Sequence, residues 1–297
     1  MTPVLWTAVV TPLQRDGQLS LPDLERLLRR QEAAGNGIIV LGSTGEGLNL
    51  SEEERRRIVT FACSLNLSVP VMCGVGGHDL PSALAWIGFL ETLPLHGYLM
   101  VTPIYSKPGE HGQFAWFSAL LDAATRPCML YNVPSRTGCL LNKNAVRRLA
   151  SHPRFWAIKE ASGSVEHFAD YVAAVGSSVD VYSGDDPLML EFAPLGAKGL
   201  VSVASNAWPA ATRTYTERAL AGQLTQADDT LWKAASAALF VAANPVPVKY
   251  LLAAEGHISA PTVKLPLHAD DMPASNPLAD LSARVNAWHA ILTQPTH

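Results

Sequence analysis

The sequence is poor in charged residues, and its few charges are nearly balanced. Only 16% of its 297 residues are Asp, Glu, Lys or Arg, and 22 basic against 26 acidic side chains give a net charge of −4. Nucleic-acid binding requires a concentrated positive surface. The basic run Arg55-Arg56-Arg57 follows glutamates on a predicted helix, which is typical of a solvated helix face. We therefore expect no nucleic-acid partner.

Long apolar runs, export signals and paired cysteines are also lacking. No segment reaches the ~18 uninterrupted apolar residues of a membrane span. Residues 1–13 carry neither a basic stretch nor a small-residue cleavage site. The four cysteines have no Cys-x-x-Cys spacing, which is typical of reduced, buried thiols. We expect a cytoplasmic globular protein without a membrane partner.

Motifs for metals and nucleotide cofactors are absent as well. No group of His, Cys, Asp and Glu has the spacing of a metal site. The adjacent carboxylates Asp185-Asp186 have no further candidate ligands beside them in the sequence. The glycines at 74–77 do not fit G-x-G-x-x-G, and no Walker-type loop occurs. We expect neither a metal nor a cofactor.

Short apolar, β-branched runs recur at intervals of about 25 to 35 residues, the length of a βα unit. Continuous apolar runs are expected where both faces of a parallel sheet are covered. The runs lie at Leu5–Pro12, Gly37–Leu41, Pro70–Val75, Gly97–Pro103, Pro127–Pro134, Phe155–Ala161, Asp180–Ser183 and Gly199–Ala204. Each run predicts one strand.

Helical patterns separate these runs. Ser51 followed by Glu54 predicts a capping box, and Gly35 suits the end of the first helix. The predicted helices are Leu21–Ala34, the helix after Ser51, Leu80–Leu93, His111–Ala124, Asn142–Ala150, Val165–Val175, Thr225–Ala243, Val246–Ala254 and Pro277–Leu292. This α/β alternation predicts a (β/α)8 TIM barrel over residues 1–222. Residues 223–297 are expected to form a C-terminal helical extension.

Reactive groups in such barrels come from the C-terminal ends of the strands and from the loops that follow them. Lys159 is the only one of seven lysines inside a predicted barrel strand. Burial disfavours an ammonium, and a neutral amine is the nucleophile that forms a Schiff base with a ketone. The alternative is a lysine paired with Glu160 or with an aspartate after strand 7. Strand alternation sends Lys159 and Glu160 to opposite faces, which weakens the first pairing.

Three other strand ends carry candidate groups. Tyr131 on strand 5 is placed either to carry protons or simply to fill the core. Ser43 and Thr44 lie in a glycine-bounded turn whose backbone N–H groups suit a carboxylate, although a plain strand-to-helix turn has the same composition. Arg136 is either a carboxylate ligand or a surface arginine.

Taken together, these motifs resemble the pyruvate-dependent class I aldolase family, which includes dihydrodipicolinate synthases and N-acetylneuraminate lyases. The resemblance covers roughly Pro3 to Pro209 and continues through the stretch from Asn244 to Lys249. The sequence Tyr-Asn-Val-Pro-Ser-Arg-Thr-Gly at 131–138 is similar to the synthase branch in particular. In that branch, an arginine at the position of Arg136 distinguishes the synthases from the lyases.

The resemblance implies condensation of pyruvate with aspartate semialdehyde to 4-hydroxy-tetrahydrodipicolinate, in lysine biosynthesis. Lys159 would form an imine with the keto carbon of pyruvate. Ser43, Thr44 and Gly45 would hold the pyruvate carboxylate. No cofactor is implied.

The resemblance also implies a proton relay made of Tyr131, Thr44 and Tyr105. The tyrosine that corresponds to Tyr105 reaches into a neighbouring subunit's site in the family, which implies a homotetramer built as a dimer of dimers. Arg136 would bind the carboxylate of the second substrate. Gly184 and Val201 would line the pyruvate pocket.

Two other functions stay open at this point. Ser43 stands where the synthases commonly have Thr, and a serine there is also usual in the lyase branch. The first alternative is therefore another pyruvate aldolase, acting on a sugar acid or on 4-hydroxy-2-oxoglutarate. The second is a non-catalytic barrel that binds keto acids, which would be expected to lack at least one relay group.

Regulation by lysine is expected to be weak or absent. Lysine-inhibited members of the family often have a tyrosine before the relay tyrosine and an asparagine after the strand 3 glycines. This sequence has Ile104 and His78 in those places. An apolar isoleucine cannot make the hydrogen bond that a tyrosine hydroxyl makes.

Overall fold

Eight parallel strands close into a barrel in the computed structural model, which describes residues 2–293. Neighbouring strands follow chain order, and β1 closes the barrel against β8. The strands are β1 Leu5–Ala8, β2 Gly37–Val40, β3 Val71–Val75, β4 Gly97–Val101, β5 Cys128–Asn132, β6 Phe155–Glu160, β7 Asp180–Ser183 and β8 Leu200–Ser202. The predicted TIM barrel is confirmed, and every strand falls within its predicted apolar run.

Helices follow the strands and surround the barrel. They are α1 Leu21–Ala33, α2 Glu52–Ser64, α3 Leu80–Leu90, α4 Glu110–Ala123, α5 Pro134–Thr137, α6 Lys143–Leu149, α7 Val165–Val175, α8 Met189–Phe192, α9 Pro209–Leu220, α10 Gln226–Ala238, α11 Val246–Ala254 and α12 Leu278–Leu292. Within residues 2–293, no helix combines the length and the apolar character that crossing a membrane requires.

Two predicted helix-terminus signals, the capping box before α2 and the glycine after α1, are present in the structure. The Ser51 hydroxyl accepts the Glu54 N–H at 3.2 Å, and the Glu54 carboxylate accepts the Ser51 N–H at 2.9 Å. This capping box satisfies two backbone donors at the start of α2 that have no partner inside the helix. Gly35 follows α1 with a φ of 70°, which a residue without Cβ adopts readily.

Two regions differ from the expected pattern. After β7, short turns around α8 replace one long helix, because Pro187 and Pro194 interrupt the backbone hydrogen bonds that a longer helix needs. Helix α10 ends at Ala238, five residues before the predicted end at Ala243. The following Phe240 and Val241 are exposed, so extending α10 would bury no further apolar side chain there.

Apolar side chains form two separate layers. One cluster fills the barrel interior: Trp6, Ile39, Met72, Leu99, Met129, Tyr131, Val133, Ala157, Tyr182 and Val201. A larger cluster lies between the strands and the surrounding helices. Because side chains alternate along a strand, each strand contributes to both layers.

The C-terminal helices pack on α9 through aromatic side chains. Trp232 of α10 is fully buried and stacks on Tyr215 of α9, with ring centroids 4.4 Å apart. Trp288 of α12 meets Trp232 edge-on at 5.5 Å. These contacts join the extension to the barrel helices. The predicted domain boundary near residue 222 stays a prediction.

We expect Trp232→Ala to lower the free energy of unfolding by about 3–5 kcal/mol, because it removes a fully buried ring and leaves a cavity. Phe240→Ala is the matched control: that ring is 50% exposed, and its loss is expected to cost less than about 1 kcal/mol. Urea denaturation measures both. Equal losses in the two variants would show that the aromatic cluster does not anchor the extension.

Candidate active site

The side chain of Lys159 belongs to the barrel interior. On β6, Ala157 lies in the interior cluster, whereas Ile158 packs toward the helices. Strand alternation gives Lys159 the same direction as Ala157, and Lys159 is only 3% exposed. The register pairs it with Tyr131 on β5 and with Tyr182 on β7.

Lys159 does not pair with Glu160. Among residues 2–293, the lysine ion pairs involve four other lysines but not Lys159. The Glu160 carboxylate instead accepts hydrogen bonds from Asn132 Nδ2 at 2.6 Å and from the Ser162 N–H at 2.9 Å. Burial raises the pKa of Glu160, and these hydrogen bonds oppose that shift.

The aspartates after β7 also have partners of their own. Asp185 accepts the Gly163 N–H at 2.9 Å, and Asp186 accepts the Val203 N–H at 3.0 Å. Burial raises the pKa of Asp185 to about 6, although the Gly163 hydrogen bond and the nearby Lys159 charge lower it. Lys159 lies close enough to lower the pKa of both carboxylates, yet neither forms an ion pair with it in the described part of the chain.

The Tyr131 ring lies directly beside the Lys159 amine. Lys159 Nζ is 4.3 Å from the ring centroid, a distance at which an ammonium and an aromatic face attract each other. Tyr131 is 5% exposed and lines a cavity at the barrel mouth. Adjacent strands thus bring an amine and a phenol together at one level of the barrel.

The turn after β2 holds Ser43, Thr44 and Gly45. Thr44 is buried, and its hydroxyl accepts a hydrogen bond from Asn244 Nδ2 at 2.9 Å. Gly45 lies against the backbone: a Cβ there would approach Val9 O to 2.9 Å, closer than real side chains come. Ser43 lines the same cavity as Tyr131.

Arg136 lies on the rim of that cavity, which has a volume of about 320 Å³. Arg136 is exposed, and its Nη2 donates a hydrogen bond to Asn244 O at 3.3 Å. The other side chains around the cavity include Ser43, Arg55, Leu99, Val101, Ile104, Tyr131, Val133, Asn244, Pro266 and Leu267. The opening therefore combines apolar walls with two arginines, Arg55 and Arg136.

Three further candidates lie in different surroundings. A Cβ at Gly184 would approach Lys159 Cε to 2.8 Å, so the glycine leaves room for the lysine stem. Val201 is fully buried in the interior cluster with Tyr131. Tyr105 lies on the loop after β4, is 87% exposed, and does not line the cavity of its own chain in the described residues.

Several residues that the fold places at the site had no role predicted from the sequence. Asn244 contacts both the Thr44 hydroxyl and Arg136, and Pro266 and Leu267 cover part of the cavity. Asn244 belongs to the stretch from Asn244 to Lys249 that resembles the family, but it lies 200 residues from Thr44 in the chain. Its contact could therefore be read only from the folded structure.

Comparisons with known proteins agree with the family resemblance of the sequence motifs. A family model described as the dihydrodipicolinate synthetase family matches residues 2–281. The 4-hydroxy-tetrahydrodipicolinate synthase of Wolbachia pipientis wMel is 45% identical over 290 residues, which cover 97% of this chain and 98% of that protein. The enzyme of that name from Francisella tularensis subsp. novicida (strain U112) is 45% identical over 284 residues, 96% of each chain.

Solved structures agree in fold over almost the whole length. The 4-hydroxy-tetrahydrodipicolinate synthase of Methylacidiphilum fumariolicum SolV has a TM-score of 0.88 at 31% identity, covering 98% of this chain and 97% of its own. The dihydrodipicolinate synthase of Acinetobacter baumannii, solved with pyruvate, has a TM-score of 0.86 at 31% identity, covering 97% and 99%. The resemblance inferred from the motifs is therefore confirmed, and the chain belongs to the dihydrodipicolinate synthetase family.

Proposed function

We propose that this protein is a 4-hydroxy-tetrahydrodipicolinate synthase, a lyase that condenses pyruvate with aspartate semialdehyde through a Schiff base. The observation that carries the proposal is the buried Lys159 amine, which faces the barrel interior beside Tyr131 and has no ion-pair partner within residues 2–293. The names of the relatives and the pyruvate bound to the A. baumannii enzyme support the same reaction.

Lys159 acts first, as the nucleophile. Its neutral amine attacks C2 of pyruvate, and loss of water from the resulting carbinolamine leaves an imine. The hydroxyl of Ser43 and the backbone N–H groups of Thr44 and Gly45 hold the pyruvate carboxylate. Gly184 and Val201 form walls of the pyruvate pocket, since one leaves space for the lysine stem and the other lies in the interior cluster.

Tyr131, Thr44 and Tyr105 then move protons. Removal of a methyl proton from the imine gives an enamine, and a phenol beside the reacting carbon is suitably placed to pass that proton on. Because Tyr105 is exposed on its own chain, we propose that it completes the relay in a neighbouring subunit. The active form is then a homotetramer arranged as a dimer of dimers.

Arg136 receives the second substrate at the rim. Its planar guanidinium binds the carboxylate of aspartate semialdehyde, and the enamine carbon attacks the aldehyde. The substrate's own amine next attacks C2 of the imine, which closes the ring and releases Lys159. The net reaction joins the two substrates with loss of one water. We place this step in lysine biosynthesis, in the cytoplasm.

Reductive trapping tests the proposed nucleophile. Borohydride added with pyruvate is expected to leave a stable pyruvyl adduct on the peptide that contains Lys159, as detected by mass spectrometry. Lys159→Ala is expected to lose both the adduct and all measurable turnover. The exposed Lys198 supplies the control, because Lys198→Ala should be labelled as the wild type is. Failure to label the wild-type protein would favour a barrel that only binds keto acids.

Truncation of Arg136 tests the second substrate site. Arg136→Ala is expected to raise the KM for aspartate semialdehyde at least about tenfold, since a charge-assisted hydrogen bond contributes about 1.5–3 kcal/mol. The yield of trapped pyruvyl adduct should not change. Arg154→Ala removes the same charge from an exposed site and serves as control. An unchanged semialdehyde KM in Arg136→Ala would move the assignment to another pyruvate aldolase.

Lysine is expected to inhibit weakly or not at all. A second cavity, of about 480 Å³, lies beside the first and has Ile104, His78 and Trp86 in its wall. Ile104 offers no hydroxyl for a hydrogen bond to a bound lysine. Initial rates measured against added lysine should therefore stay constant through the millimolar range. Inhibition at sub-millimolar lysine would contradict this expectation.

A further inference from the structure

A second buried charge cluster lies next to the cavity and has no place in the chemistry above. Glu46 is 3% exposed and Lys249 is fully buried. Lys249 Nζ donates to the Glu46 carboxylate and also to Thr262 O, the latter at 2.8 Å. The second carboxylate oxygen of Glu46 accepts the Lys264 backbone N–H at 2.6 Å. Burial lowers the pKa of Lys249, and the Glu46 charge opposes that shift.

Glu46 belongs to the turn that carries the proposed carboxylate site. It directly follows Gly45 and has a φ of 55°, in the left-handed region that costs a residue with a Cβ of order 1 kcal/mol. Such a conformation persists when the surroundings fix it. Here the two carboxylate oxygens of Glu46 hold the turn from its C-terminal end. Its backbone is also held by hydrogen bonds from the Glu46 N–H to Ser43 O at 3.1 Å and from the Thr11 hydroxyl to Gly45 O at 2.7 Å.

The opposite side of the cluster holds a cover over the cavity. We call residues 262–267 the strap. Thr262 and Lys264 of the strap bind the Glu46–Lys249 pair through their backbone atoms, and Pro266 and Leu267 line the cavity. One buried carboxylate thus ties the turn after β2 to α11 and to the strap.

Stability alone is a weak explanation for this pair. Removing two charges from water costs several kcal/mol per ion, and apolar replacements of buried ion pairs are often neutral or stabilising. What the pair supplies is geometry, because a carboxylate that accepts a hydrogen bond on each oxygen fixes the distance between the segments that carry the donors. The turn that carries Glu46 and the strap both border the cavity.

We propose that Glu46 and Lys249 are positioning residues that hold the Ser43–Gly45 turn and the strap in the arrangement that binds the pyruvate carboxylate. This inference rests on the proposed function. Neither side chain contacts the reacting atoms: each acts through the backbone N–H groups that it fixes. Loosening the pair should weaken pyruvate binding more than the binding of the second substrate, since Arg136 is held from β5 and by Asn244.

The test compares Glu46→Gln and Lys249→Met with the wild type, using pyruvate and aspartate semialdehyde in steady-state assays. We expect the KM for pyruvate to rise at least about tenfold, while the KM for the semialdehyde changes less than about threefold. Lys233→Met is the matched control, because it breaks an ion pair to the buried Asp229, away from the cavity, in the described structure. It should leave both KM values within about twofold.

The KM for pyruvate distinguishes a loss of positioning from a folding defect. Partial unfolding lowers the apparent kcat but leaves the KM of the folded fraction unchanged. Should a single variant not fold, the double variant Glu46→Gln/Lys249→Met buries no unpaired charge and is expected to fold with the raised pyruvate KM. A wild-type pyruvate KM in any folded variant overturns the positioning role.

The proposed function fails separately, through the wild-type protein alone. If borohydride traps pyruvate on wild-type Lys159 and the folded variants keep the wild-type KM, only the positioning role is lost. If the wild-type protein is not trapped, the Schiff-base reaction itself is wrong, and with it the positioning role. A raised pyruvate KM with trapping at saturating pyruvate retained supports both.

Discussion

An amine buried in an apolar barrel without a carboxylate partner is the constraint on which the site depends. The parallel register between β5 and β6 places Lys159 opposite Tyr131 and directs both side chains inward. The acidic neighbours do not form ion pairs with the amine. The Glu160 carboxylate lies on the helix side of β6 and accepts a hydrogen bond from Asn132, and Asp185 accepts one from the Gly163 N–H. The Lys159 amine thus has no ion-pair partner within residues 2–293, and the neutral form of an amine is the one that attacks a ketone. The barrel therefore supplies the environment as well as the position.

Around that amine, the site is assembled from segments far apart in the chain. Asn244 reaches the Thr44 hydroxyl across 200 residues, and Lys249 reaches Glu46 across 203. The C-terminal extension thus does more than cover barrel helices, because it fixes the turn after β2 and covers part of the cavity. The arrangement is typical of TIM barrels, in which the strand ends hold the reactive groups and the loops shape the opening.

The strands and most helices were predictable because a parallel sheet covered on both faces leaves continuous apolar runs in the sequence. Lys159 was predictable as the unusual residue, since a single lysine interrupts such a run. The turns around α8 were not predicted, because Pro187 and Pro194 act on backbone hydrogen bonds rather than on apolar periodicity. The Glu46–Lys249 pair left no local signal either: its two residues are ordinary charged residues until the fold brings them together.

We propose that Lys159 forms the imine inside this barrel, with pyruvate oriented by the turn after β2. A crystal structure of the protein soaked with pyruvate tests this proposal. We expect continuous electron density from Lys159 Nζ to C2 of pyruvate, with the carboxylate within hydrogen-bond distance of the Thr44 and Gly45 N–H groups. Pyruvate bound elsewhere, or a Lys159 amine turned into an ion pair with an aspartate after β7, would contradict it.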